Sequence, residues 1–228
     1  MTGSGPDTSA APVESAAATR VPTLHAVTSD EIVTRSDFLD RAGRVMHTGG
    51  ARVAVHLRTA RLGGRALHEL ASRLAALQAE TGAWLVINDR ADVALTAGAR
   101  GVQLTSRSMS PADARRAVPA LSIGASVHST EDATGAVEAG VHWLVAGHVF
   151  ESDGQPDQDG RGVAFIERLA TMHAVPVIAI GGVRPEHIPM LRAAGAHGVA
   201  AIRGVWHARD AGAAVIEYLS AHGALESP

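Results

Sequence analysis

The chain has 228 residues, 46% hydrophobic but only 3% aromatic, so its core must be built from Ala, Val, Leu and Ile, in one large domain or two small ones. A net charge of −3, with arginines scattered singly or in pairs, argues against a nucleic-acid partner, which needs a concentrated basic face. Cysteine and lysine are both absent, which excludes disulfides, thiolate nucleophiles, Schiff-base chemistry and lysine clamps on phosphate, and suits a reducing cytoplasm.

Residues 1–20 are rich in Ala, Ser, Thr, Gly and Pro and lack a basic start or an unbroken apolar run, so they are expected to be a disordered tail rather than a signal peptide. No later stretch approaches the roughly 18 apolar residues of a membrane span, so a soluble, cytoplasmic protein is expected. Apolar runs follow at 24–28, 53–58, 84–88, 101–104, 122–126, 143–146, 177–180 and 198–202. They are short, partly β-branched and not strictly alternating, as expected of parallel strands covered on their outer face.

Helical patterns separate them. Residues 64–80 place Leu67, Leu70, Ala71, Leu74 and Leu77 on one stripe. Ser129 is a predicted N-cap for a helix over 130–139, with Asp132 three residues on. Pro111 and Pro185 stand where a first helical turn accepts proline, and a last helix is predicted over 210–221. Eight strand–helix pairs in about 200 residues predict an α/β fold, a single (β/α)8 TIM barrel over 21–222 with a short tail at 223–228. A doubly wound open sheet has the same local alternation. The strand count, and the lack of a charged edge strand, favour closure.

In such a barrel the loops after the strands build the site. The runs Ile178-Ala179-Ile180-Gly181-Gly182-Val183 and Gly198-Val199-Ala200-Ala201-Ile202-Arg203-Gly204 each lead into a helix. Glycines let backbone approach an anion, and helix N-termini aim N–H groups at it. A phosphate is therefore expected at Gly181, Gly182, Ile202 and Arg203, the last adding a charge-assisted contact. A tight turn with no ligand is the plainer explanation of the Gly-Gly pair. Ser126 and His128 share one face at the end of the fifth strand. A lone histidine among twelve is more often structural, so His128 is only a candidate acid–base residue on pattern alone. His56 with Arg58, and Asn88 with Asp89, end strands two and three in a similar way. The polar run from His148 to Gly162 suits either a lid or a surface loop. Its carboxylates (Glu151, Asp153, Asp157, Asp159) lack the closing glutamate of a calcium loop.

Through these residues the chain resembles the thiamine phosphate synthase superfamily, and within it the TenI-type thiazole tautomerases, over about residues 23–220. The segments that carry the resemblance are Leu24-His25-Ala26-Val27-Thr28, His56-Leu57-Arg58, Ile87-Asn88-Asp89-Arg90, Gly101-Val102-Gln103-Leu104, Ser126-Val127-His128-Ser129, Gly147-His148-Val149-Phe150-Glu151-Ser152-Asp153, Gly160-Arg161-Gly162-Val163 and the two glycine loops. A synthase joins a pyrimidine pyrophosphate to a thiazole phosphate, Mg²⁺ assisting the departure of pyrophosphate. Its Arg-Glu-Lys after strand two reads Arg58-Thr59-Ala60 here. Its Gly-Gln-Glu-Asp after strand four, which carries a second metal carboxylate, aligns with Thr105-Ser106-Arg107-Ser108, and its lid lysine aligns near Gln155. Asp89 alone survives of the metal set.

These losses point to the tautomerase branch, an isomerase that moves a proton on a carboxythiazole phosphate to give the aromatic isomer. By resemblance His128 is its acid–base residue, and Arg58, Asn88, Gln103, Ser126, Gly147 and Gly162 bind substrate. The phosphate loop's usual serine is Arg203 here. No metal or other cofactor is expected, and the expected partner is a small phosphorylated thiazole, with room for a homo-oligomer but no nucleic acid and no membrane. The alternatives are a thiamine phosphate synthase, or a non-catalytic barrel that binds a phosphorylated ligand.

Overall fold

The structure, a computed structural model, describes residues 20–151 and 160–223. The tails expected at 1–20 and 223–228 lie outside the described residues apart from Arg20 and Gly223, as does the centre of the expected lid with Asp153, Gln155, Asp157 and Asp159.

Eight parallel strands close in sequence order, and β8 pairs back onto β1. They are β1 (Leu24–Val27), β2 (Val53–Leu57), β3 (Trp84–Asn88), β4 (Gly101–Leu104), β5 (Ser122–Val127), β6 (Trp143–Gly147), β7 (Val177–Ile180) and β8 (Gly198–Ala201). The helices are α1 (Asp30–Val33), α2 (Phe38–Gly49), α3 (Gly64–Thr81), α4 (Ala91–Thr96), α5 (Pro111–Ala117) and α6 (Thr130–Glu138). They continue with α7 (Val163–Met172), α8 (Ile188–Ala193), α9 (Arg203–Trp206) and α10 (Ala211–Ala221). The single (β/α)8 barrel predicted from the alternation is the observed fold, and each predicted strand lies within one residue of its observed bounds.

The local signals act as their chemistry dictates. Ser110 and Ser129 accept from the N–H groups of Asp113 and Asp132, capping α5 and α6, each such cap being worth about 1 kcal/mol. Gly82 ends α3 in the left-handed conformation at φ 75°, where a side chain would be strained. The helix over Phe38–Gly49 has no comparable cap hydrogen bond at Asp37 and was not singled out in the sequence.

Side-chain parity divides the core into two layers. Leu24, Ala26, Val53, Val55, Leu85 and Ile87 face outward and pack under the helices. Val27, Ala54, Trp84, Val86, Trp143, Val145, Ile178 and Ala200 pack within the barrel. Two tryptophans fill a space the aliphatic residues cannot. Gly124 makes room for one of them, since a Cβ there would lie 2.1 Å from the Trp143 indole. Trp143 Nε1 donates to Gln103 Oε1 at 2.9 Å, and Gln103 Nε2 to Ser126 Oγ at 3.1 Å, so these three side chains are linked in one chain of hydrogen bonds.

Candidate active site

Because the strands are parallel and the barrel is closed, every strand end, with the loop after it, lies on one rim. That places His128, Asn88–Asp89, Arg58, Gly147, Gly181–Gly182 and Ile202–Arg203 around the same mouth.

The two phosphate-loop candidates are held together by a residue the sequence did not flag. Tyr218, on α10, is 3% exposed, and its hydroxyl donates to Val183 O at 3.0 Å, just after Gly182. The same hydroxyl lies 2.2 Å from where a Cβ of Gly204 would sit. One phenol thus ties the loop after β7 to the loop after β8, and burial pushes its pKa up to about 12, so it remains a donor. The helix α9 starts at Arg203, with Ile202 as its N-cap; Val205 and Trp206 both donate to Ile202 O.

Gly181 and Gly182 have positive φ of 101° and 63°. A Cβ on Gly181 would lie 2.3 Å from His148 Cβ, and one on Gly182 would lie 2.5 Å from Glu151 O. The segment after β6 runs beside them, with Val149 N donating to Ile180 O at 2.8 Å and Phe150 N to Gly181 O at 3.0 Å. Arg161 N and Gly162 N donate back to His148 O and Val149 O, both at 3.0 Å, which closes the base of the long loop. Both glycines are therefore required by packing, whatever they bind.

His128 is exposed, and its Nδ1 lies 3.0 Å from Gly147 O. A carbonyl only accepts, so Nδ1 carries a proton and donates to it. Its backbone N–H donates to Asp132. Gln103 and Ser126 are brought together by the hydrogen bond already described. Asn88 is buried beside the inner wall. His56 and Arg58, which the sequence pairs, separate: His56 is buried inside the barrel, whereas Arg58 is exposed just beyond β2. The Arg58 backbone exchanges hydrogen bonds with the hydroxyl of Thr28. Asp30 accepts from the Thr59 hydroxyl at 2.5 Å and from the N–H groups of Ala60 and Arg61. These bonds hold its carboxyl below the usual range and fold down the stretch where synthases carry Glu-Lys.

Asp89, with φ 64°, projects its carboxylate to the loop after β4. Its Oδ1 accepts from both Thr105 Oγ1 and Ser108 Oγ at 2.5 Å. Mg²⁺ takes near-octahedral oxygen coordination and is usually held through one or two carboxylates plus phosphate. Here the partner carboxylate is replaced by hydroxyls that donate to Asp89, and among the described residues no three His, Cys, Asp or Glu side chains cluster to hold a metal. The residues do not fit a paired-carboxylate Mg²⁺ site.

The family profile described as Thiamine monophosphate synthase matches residues 24–205. The chain belongs to that family. A thiamine-phosphate synthase of Methanoculleus marisnigri is 35% identical over 181 residues, which cover 78% of this chain and 85% of that protein. One from Salinispora arenicola is 40% identical over 162 residues, covering 69% and 76%. A solved thiamine phosphate pyrophosphorylase from Pyrococcus furiosus superposes with a TM-score of 0.79 at 28% identity, covering 92% of this chain and 99% of that one.

These relatives confirm the superfamily and correct the branch. The expected isomerase, a thiazole tautomerase with His128 moving a proton, is overturned: the relatives carry the name of a synthase, which is a transferase. The charge losses at Thr59-Ala60 and Thr105–Ser108 are real but local, while the likeness to synthases spans most of the barrel. A family of thiamine biosynthesis implies a phosphorylated substrate. Among the described residues no helix is long and apolar enough to cross a membrane.

Proposed function

We propose that this barrel is a thiamine-phosphate synthase, joining a pyrimidine pyrophosphate to a thiazole phosphate at the mouth described above. The observation that carries this reading is the match of the family profile over residues 24–205, a span that includes the rim loops, together with synthase relatives over most of the chain. In the reaction the thiazole nitrogen attacks the pyrimidine methylene carbon, the carbon–oxygen bond breaks, and pyrophosphate leaves with the electron pair. The thiazole phosphate is assigned to the loops at Gly181, Gly182, Ile202 and Arg203, where backbone N–H groups and one guanidinium suit an anion. Arg58 and Arg161, flanking other parts of the rim, supply the cations toward the leaving pyrophosphate, a role open only to Arg or His in a chain without lysine. Gln103, Ser126, Gly147 and Gly162 line the mouth between these groups. Coupling at a ring nitrogen transfers no proton to the enzyme, so His128 serves as a ligand contact at the mouth rather than as an acid–base residue.

One specific observation favours a second reading, a barrel that binds the phosphorylated ligand without coupling: the hydroxyls of Thr105 and Ser108 occupy Asp89 where the family carries a second carboxylate. Incubation of the protein with both substrates and Mg²⁺, followed by chromatography for thiamine phosphate, separates the two. Product with release of pyrophosphate supports the synthase; thiazole phosphate binding with no product supports the second reading.

A further inference from the structure

The four residues after β4 form one turn, closed by Ser108 N–H donating to Thr105 O at 3.0 Å. Serine and threonine hydroxyls bond readily to nearby backbone, and this turn uses both. Thr105 N–H donates to Ser108 Oγ at 2.8 Å, and Arg107 N–H to Thr105 Oγ1 at 3.4 Å. A carboxylate only accepts, so each hydroxyl sends its own proton to Asp89 Oδ1. The turn is therefore pinned at both ends to the carboxylate that follows β3, with Ser106 and Arg107 exposed at its tip. Arg107 is a long cation on a fixed base. Around the closed barrel the ends of β2, β3 and β4 are neighbours, and they lead into Arg58, Asp89 and Arg107 in that order. Adjacent strands lie about 4.8 Å apart, so the two arginine-bearing loops start roughly 10 Å from each other. Among the described residues neither Arg58 nor Arg107 forms an ion pair with a carboxylate, whereas Arg90 beside them is held by Asp92.

We propose that this turn is an anion-binding element in which Arg107, with Arg58 across Asp89, grips a pyrophosphate group that arrives and leaves without a divalent metal. The identity of the ligand rests on the proposed function, which makes that group the pyrophosphate of the pyrimidine substrate. What carries the inference is the disagreement between this loop and a paired-carboxylate Mg²⁺ site. A metal needs lone pairs turned outward, but here both hydroxyl protons are turned onto Asp89 Oδ1, and the carboxylate serves as the tether of the turn. The same two donors lessen the repulsion that a bare carboxylate would exert on an incoming anion. A guanidinium supplies the missing positive charge together with a fork of N–H donors that matches phosphoryl oxygens in pairs. Two forks rooted roughly 10 Å apart suit an anion with oxygens at both ends better than a single phosphate. Hydrogen bonds to charged groups are the strong class, and losing one changes an equilibrium by roughly tenfold to a hundredfold.

The test uses the full-length protein with inorganic pyrophosphate as the probe, by calorimetry in metal-free buffer containing EDTA. Wild type should bind pyrophosphate there, and inorganic phosphate about tenfold more weakly. Excess Mg²⁺, which chelates pyrophosphate in solution, should weaken binding rather than strengthen it. Arg107→Gln should weaken it roughly tenfold to a hundredfold at an unchanged melting temperature, because the side chain is exposed. Arg73→Gln, which removes an equal charge from an exposed position on α3, should bind as wild type does. Asp89→Asn separates a tether from a metal ligand. An asparagine tolerates the φ of 64° and still accepts from both hydroxyls, so pyrophosphate binding should be kept. Binding that appears only with Mg²⁺, or is lost in a folded Asp89→Asn protein, would make Asp89 a metal ligand and overturn the proposal. So would an Arg107→Gln protein that binds as tightly as wild type, which reduces Arg107 to a solvated surface charge. Coupling of the two substrates is read separately. Arg107-dependent binding in EDTA with no thiamine phosphate formed in any buffer supports the anion site and contradicts the proposed function alone. Thiamine phosphate formed with Mg²⁺ but not in EDTA upholds that function and overturns the metal-free site.

Discussion

Single residues set what the rim can do, and Tyr218 is the clearest case. Its hydroxyl braces Val183 O and packs where Gly204 lacks a side chain, so one group fixes the spacing of two loops. Tyr218→Phe should cost about 1 kcal/mol of stability from the lost hydrogen bond, visible as a small drop in melting temperature. It should weaken thiazole phosphate binding by more than that, measured by calorimetry; equal losses would reduce Tyr218 to a core residue. Asp89 makes the opposite argument. With its Oδ1 taken by Thr105 and Ser108, the wild-type protein should show no tight site in an electron paramagnetic resonance titration with Mn²⁺. Ser108→Asp should create one, and a tight wild-type site would refute this account of the loop. His128→Gln should retain coupling within about tenfold, whereas a general acid–base role would cost roughly 10²–10⁴-fold. At this scale the sequence was only partly legible. Strand-end positions such as Asn88, Gln103 and Ser126 could be named from periodicity, but their partners could not. Nothing in the local pattern around Tyr218 or Trp143 announces a contact with a residue 35 or 40 positions away.

Elements were more legible than their contacts, because a strand run, a serine cap or a proline at a first turn is a local signal. The loop after β7 marks where local reading stops. Gly181 and Gly182 were read from sequence as a phosphate cradle, yet both are also demanded by the segment 148–151 lying against them. Gly182→Ala should therefore destabilise the fold as well as disturb binding, which makes it a poor probe of the ligand, and the Tyr218 variant is the cleaner one. The elements β1 and β2 carry a pH dependence of their own through His25 and His56. Both have folded pKa values depressed below the ordinary 6.5, so they contribute stability that is fully present above about pH 6.5 and lost as the pH falls toward 4. In that window the unfolded chain takes up protons that the folded barrel refuses. For His56 alone the loss reaches about 3 kcal/mol at pH 4. The urea midpoint should fall steeply between pH 6.5 and 4, and less so in His56→Gln. A midpoint unchanged over that range would mean that the pair is not buried neutral in the folded state.

At the scale of the whole molecule, eight strand–helix units were enough to predict the closed barrel, and the rim followed from its parallel strands. The branch of the family did not follow. Counting missing charges at four loop positions favoured a reaction with no pyrophosphate to release, while synthase relatives match over most of the barrel. A few charged side chains tune one step, whereas the overall match reflects the shared barrel, and loops can change without the barrel changing. The tension between the two is now concrete: a barrel of the synthase family without lysine, and with hydroxyls in place of a metal carboxylate. The most direct measurement is steady-state release of pyrophosphate by the purified protein with aminopyrimidine pyrophosphate, thiazole phosphate and Mg²⁺. Release should require both substrates, match thiamine phosphate formed one for one, and proceed at a rate on the order of 1 s⁻¹. Saturable thiazole phosphate binding with pyrophosphate release no faster than in the absence of enzyme would contradict it.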